Sequence, residues 1–159
     1  MAVSDGSYID RTKVGVASWI IKSKDRSEYV RGLCIVPGPK KVQSAYRSKL
    51  VGLLAIMDKI FQWSSSHGIE DGGCKLACDG VSALNMAATS QQDSVNANSK
   101  HVDIISSMSR IQARTKIRYH PVHVKGHADD AKTHGNLSHL EKMNVSMDFY
   151  AKQLAKSLI

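Results

Sequence analysis

Residues 117–130 read Ile-Arg-Tyr-His-Pro-Val-His-Val-Lys-Gly-His-Ala-Asp-Asp: an apolar-alternating run as far as Val124, then polar chain. Such alternation predicts a strand over 117–124. Lys125-Gly126-His127 turns it into a polar loop. Beyond the loop, Leu140, Met143, Met147, Tyr150, Ala151, Leu154 and Leu158 recur at helical spacing and predict an amphipathic helix. On that helix Asn144 and Asp148 stand four residues apart and share a face, and Ala151 permits a close approach to its neighbour. A loop histidine beside a carboxylate on a rigid element suits metal-assisted hydrolysis, in which the carboxylate holds a divalent cation and the histidine moves protons. Two further acidic stretches, Asp5-Gly6-Ser7 and Cys78-Asp79-Gly80, strengthen that reading.

From this stretch the rest of the chain falls into a regular pattern. A short first strand, Ala2-Val3-Ser4, leads directly into Asp5, so little chain precedes the first carboxylate. Residues 14–21 are almost all apolar or small and predict a strand buried on both faces. After a charged turn, residues 29–36 make a third strand, and the short connections imply an antiparallel meander. Pro37-Gly38-Pro39 breaks the chain before a helix over 44–64, whose apolar face carries Leu50, Leu53, Leu54, Met57, Ile60 and Phe61. Gly52 inside that helix costs about 1 kcal/mol relative to Ala, which implies close packing on a sheet. Residues 75–79 predict a fourth strand, followed by a short helix to about Ala88, and residues 89–99 a polar, flexible loop. Val102, Ile105, Met108 and Ile111 mark another helix. The order βββαβααβ, loop, α implies a mixed sheet with helices packed on it. There is no internal repeat and no domain boundary.

The chain has 159 residues, enough for one domain with a real core, and its 42% hydrophobic and 23% charged content excludes wholesale disorder. No apolar run approaches the roughly 18 residues of a membrane span, and no charged-then-apolar signal opens the chain, so an intracellular protein, cytoplasmic or nuclear, is expected. The three cysteines read as reduced core thiols rather than a disulfide framework. The formal charge of +8 attracts polyanions, of which nucleic acid is the usual one; a solubilising surface is the bland alternative.

If strands one and four are parallel neighbours, Asp5 and Asp79 meet where the strand connection switches, a standard place for a site in an open sheet. Adjacent buried carboxylates repel unless a cation sits among them. Any one Asp-Gly could instead be a surface turn.

At this point the chain, end to end, resembles a type 1 ribonuclease H domain of the kind attached to reverse transcriptases in retroelements. Asp5-Gly6-Ser7 matches the family's opening motif, Val124-Lys125-Gly126-His127 the strand-to-loop motif, and Asn144-x3-Asp148-x2-Ala151 the final one. The resemblance implies an α/β, ribonuclease H-like fold, with a five-stranded mixed sheet flanked by helices in a single domain over 1–159. It implies hydrolysis of the RNA strand of RNA–DNA hybrids by two Mg2+ or Mn2+ ions held by four acidic residues. By that resemblance Asp5 bridges both ions, Asp148 completes the ion that activates water, Asp79 completes the leaving-group ion, and His127 assists proton transfer or product release. Gly6, Ser7 and Lys125 are then candidates for contact with nucleic acid, and a reverse transcriptase polymerase domain is the implied protein partner. Lys40, Lys41 and Arg47, near the helix start, are candidates for contact with phosphate, with a solvated basic face as the alternative.

One position departs from the pattern. The family's second acid is a glutamate early in the long helix, and Lys49 occupies that place. Asp58, the nearest acid downstream, is nine residues on and at about 100° per residue faces the opposite side. An ammonium has three donors and no lone pair, so it cannot ligate a cation. Either Lys49 neutralises Asp5 and Asp79 with a salt bridge in place of a metal, or it snorkels to solvent and weakens the site. Ala45-Tyr46, where the family often carries Asn or Gln, and the short first strand point the same way. Two readings therefore stand: a ribonuclease H-type hydrolase with weakened metal binding, or a catalytically inactive nucleic-acid-binding or scaffolding domain of the same fold. His120, His123, His127, His134 and His139, with Cys74 and Cys78, raise zinc, but without a Cys-x2-Cys pair they read as core or loop residues. Trp19 and Trp63 read as core.

Overall fold

The computed structural model describes residues 1–89 and 100–159. Five strands form one mixed sheet: β1 (Ala2–Ile9), β2 (Val14–Lys22), β3 (Tyr29–Ile35), β4 (Asp71–Cys78) and β5 (Lys116–His123), in spatial order β3-β2-β1-β4-β5. The first three strands pair antiparallel, as short hairpin connections dictate, while β1–β4 and β4–β5 are parallel. The four α-helices of the described residues are α1 (Ala45–Ser66), α2 (Val81–Thr89), α3 (Val102–Ala113) and α4 (His139–Ser157). The expected element order and mixed sheet are those observed. The expected loop over 89–99 lies, from residue 90 on, outside the described residues.

Helices cover both faces of the sheet, which is why β2 is buried on both sides as its sequence predicts. Leu50, Leu53, Ile56 and Met57 of α1 pack with Ala17, Leu76, Cys78 and Met108 in the larger core. On the other side Met143 and Met147 of α4 meet Val3, Ile20 and Ala77. Gly52 sits against the sheet as expected: a Cβ there would come 3.0 Å from Ser4 Cβ. Ser44 caps α1 by accepting from the Arg47 N–H, and Ser138 with Glu141 makes a capping box at the start of α4. Cys74 and Cys78 are buried free thiols, while Cys34 is half-buried rather than core. Among the described residues no helix is long and apolar enough to cross a membrane.

Three expectations are corrected. The first strand is not short: β1 spans eight residues and pairs with β2 along all of them, so Asp5 lies at mid-strand rather than at its end. The fourth strand begins at Asp71, earlier than residue 75, because its glycines tolerate the extended edge that pairs with β5. Trp63 is 54% exposed rather than core, on the wall of an open cavity that it shares with Ile21, Val30 and Ile117 of the sheet.

Candidate functional site

The site forms where β1, the C-terminal end of β4, the first turns of α1 and the middle of α4 come together. Asp5 is 4% exposed, with its Oδ1 accepting from the Gly6 N–H at 2.7 Å. Directly beside Gly6 runs α1: a Cβ on Gly6 would lie 2.6 Å from the Ser48 carbonyl carbon and 2.7 Å from the Lys49 nitrogen. Only a glycine lets strand and helix backbones approach this closely. The contact sets the root of Lys49 beside the first carboxylate.

From there the Lys49 side chain runs past Gly80, where an added Cβ would stand 2.6 Å from Lys49 Cδ. Its ammonium reaches two carboxylates, Asp5 Oδ1 at 3.3 Å and Asp79 Oδ1 in a shorter contact. The Lys49 side chain is 19% exposed, so of the two outcomes open to it, the salt bridge is the one observed. Burial works against the ammonium, yet Asp5 and Asp79 together outweigh it and hold its pKa above the usual lysine value. For Asp5, burial pushes the carboxyl up to about 6; Lys49 pulls it back, and the charges of Asp79 and Asp148 add to the rise.

Asp148 lies on the α4 face turned toward Asp5, but its carboxylate is engaged by Lys152 at 2.6 Å, one turn further along the helix. Asn144, one turn earlier, is buried. Behind Asp79, Gly126 leaves no room for a side chain, since a Cβ there would meet Asp79 Oδ2 at 2.6 Å. His123 Nε2 lies 3.1 Å from the Asp79 carbonyl oxygen. Cys78, next in sequence, is fully buried, and burial raises its thiol to about 11, which keeps it protonated and unreactive. His127 is exposed in a left-handed conformation (φ 54°, ψ 39°) at the start of the loop after β5, and Lys125 is exposed beside it.

Asp5, Asp79 and Lys49 are thus in direct contact, with Asp148 facing them and paired elsewhere. Gly6 and Ser7 follow Asp5 along β1, and Lys40 and Lys41 are exposed on the single turn before α1. Arg47 is different. It is 1% exposed, and its guanidinium donates to both oxygens of Asp103 (2.9 and 2.5 Å) and, through Nε, to the Pro37 carbonyl at 2.9 Å. It ties α1 to α3 and does not share the surface of Lys40 and Lys41. The helical period could have shown this, because Arg47 precedes Leu50 and Val51 by three and four residues on the buried face. Lys152 was overlooked in the sequence, although its four-residue spacing from Asp148 is the ordinary signal of a helix ion pair.

A divalent cation needs several oxygen ligands free at once. Here Asp5 and Asp79 each give an oxygen to an ammonium, Asp148 gives one to another, and no cluster of three or more His, Cys, Asp or Glu among the described residues could hold a metal ion. The residues present do not fit a two-metal centre.

No family model matches the chain, and no curated protein matches it. Among solved structures it is similar to LC9-RNase H1, described as a type 1 RNase H with the type 2 active-site motif, at 13% identity and TM-score 0.58, covering 98% of this chain and 71% of that one. It is also similar to LC11-RNase H1, isolated from compost by a metagenomic approach, at 10% identity and TM-score 0.56, covering 99% and 96%. A further match, RNase H1 of the halophilic archaeon Halobacterium salinarum NRC-1, has 12% identity and TM-score 0.48 over 81% and 87% of the two chains. What this chain shares with LC9-RNase H1 and LC11-RNase H1 is the ribonuclease H fold.

Proposed function

We propose that this is a nucleic-acid-binding domain of ribonuclease H fold that engages RNA–DNA hybrid and cleaves it poorly or not at all. The observation that carries the reading is the Lys49 ammonium, which lies between Asp5 and Asp79 where a hydrolase would need a cation. Binding rests on the +8 balance and on the exposed lysines Lys40, Lys41 and Lys125. Recognition then proceeds through backbone shape and 2′-hydroxyls rather than base sequence. A reverse transcriptase polymerase domain, which makes such hybrids, is the partner this reading implies.

The second reading, a ribonuclease H-type hydrolase that uses Mg2+ or Mn2+, keeps one observation in its favour. The charges of Asp79 and Asp148 both act on Asp5, so the three carboxylates lie within one site.

A paired assay separates the two. Fluorescence anisotropy with labelled hybrid should show binding that weakens steeply as salt rises, because counterion release drives it. A cleavage assay on the same samples should show little product for the unmodified protein and metal-dependent product for Lys49→Glu, with Lys49→Ala in between. Robust Mg2+-dependent cleavage by the unmodified chain overturns the proposal, as does salt-insensitive binding or none at low salt.

A further inference from the structure

Lys49 is not the only cation at the site. Each of the three carboxylates has a lysine partner: Asp5 and Asp79 share Lys49, and Asp148 pairs with Lys152 at 2.6 Å. Asp5 also helps to hold the Lys152 ammonium charged, so both lysines sit in one electrostatic field. The two are held differently. Lys49 is confined at its root by the Gly6 contact, along its stem by Gly80 and at its head by two carboxylates. Lys152 is 47% exposed, and its head alone is engaged.

We infer that Lys49 and Lys152 are the site's built-in counter-ions, that Lys49 is the one that excludes divalent cations, and that the domain therefore binds nucleic acid without them. The nucleic-acid half of this statement rests on the proposed function; the exclusion of metal stands apart from it. For Mg2+ or Mn2+ to enter, it must take Asp5 and Asp79 from an ammonium whose side chain is only 19% exposed, which would leave that ammonium partly buried and without its carboxylate partners. Entry beside Asp148 requires only that a half-exposed lysine swing into water, but a single carboxylate gives a weak site.

The test uses Mn2+ itself as the probe, titrated into the intact protein and followed by the loss of the free-ion paramagnetic resonance signal. The unmodified protein and Lys152→Ala should show no saturable Mn2+ binding, whereas Lys49→Glu should bind at least about 100-fold more tightly. Should Lys49→Glu not fold, as judged by circular dichroism, Lys49→Gln removes the charge and should give an intermediate affinity. Saturable binding by the unmodified chain at the level of Lys49→Glu overturns the inference. So does a Lys152→Ala protein that binds Mn2+ while Lys49→Gln does not, because the excluding ion would then be the wrong lysine. In a second arm, hybrid affinity is measured in chelator and in Mg2+ at matched ionic strength. It should agree within about twofold for the unmodified protein and rise with Mg2+ for Lys49→Glu. If the unmodified protein binds no hybrid under either condition, the proposed function fails, and the Mn2+ titration alone still decides the exclusion of metal.

Discussion

Two cations lie two residues apart at the start of α1, and their partners respond in opposite ways. Arg47 is buried, but its partner Asp103 keeps a side chain that is 56% exposed, and the guanidinium beside it holds the carboxyl below its ordinary range. Lys49 is partly buried, and its partner Asp5 is buried too; there burial outweighs the ammonium and drives the carboxyl up to about 6. An ion pair at the surface lowers a carboxyl pKa with little opposition, whereas among buried carboxylates one ammonium does not repay the loss of water. Arg47 is accordingly a clamp between helices, and Lys49 a counter-charge that leaves its site strained.

The largest effect should come from breaking the clamp. Arg47→Ala removes a bidentate contact, a bond to the Pro37 carbonyl and a buried side chain, and should lower stability by about 3 kcal/mol in urea unfolding. A change of under about 1 kcal/mol would show that the clamp is ornamental.

Next comes pH. The folded pKa of Asp5 stands above its unfolded value, so this group's contribution to stability falls as pH rises from about 4 through 6. That loss should be on the order of 2 kcal/mol, and Asp5→Asn should flatten the profile across that window. Lys49→Met should steepen it, because the cation shared by Asp5 and Asp79 is gone. A profile that Asp5→Asn leaves unchanged would place the titration elsewhere.

Asp103 should act with the opposite sign. Its folded pKa is depressed, so its contribution is present above about pH 4 and is lost as pH falls through the folded value. Solvent screening at this half-exposed side chain keeps the effect under about 1 kcal/mol, seen as the difference between Asp103→Asn and the unmodified protein at pH 6 against pH 3. The smallest effect belongs to Lys152→Ala, about 0.3–0.5 kcal/mol in thermal unfolding, as for other exposed pairs one turn apart on a helix.

Most of the fold is legible in the sequence for a local reason: alternation and helical period depend on which faces are buried, and both faces of this sheet are covered. The limits of β1 and β4 were harder to place, because a strand rich in Ser and Gly carries little hydrophobic contrast. The site was legible as a set of residues, since Asp5, Asp79 and Lys49 do meet. What the sequence could not give was the assignment of partners. Arg47 looked like a phosphate contact because charge near a helix start is usually solvated; its spacing from Leu50 and Val51 placed it on the buried face, but did not identify Asp103 as its partner. Trp63 looked like core because a large aromatic on a long amphipathic helix is usually covered, and here it stands on the wall of an open cavity. Whether Lys49 bridged or snorkelled turned on the depth of Gly6 and Gly80, a tertiary quantity.

The Lys49 bridge also bears on heredity. Every lysine codon becomes a glutamate codon by one change at its first base, so a single transition separates this state of α1 from one with a fourth carboxylate. The contacts that secure α1, from Gly6 beneath it to Arg47 on Asp103, do not use the Lys49 charge. A lineage could therefore cross between the two states in one step with those contacts intact. Copies differing at that one base should persist side by side wherever binding alone is selected.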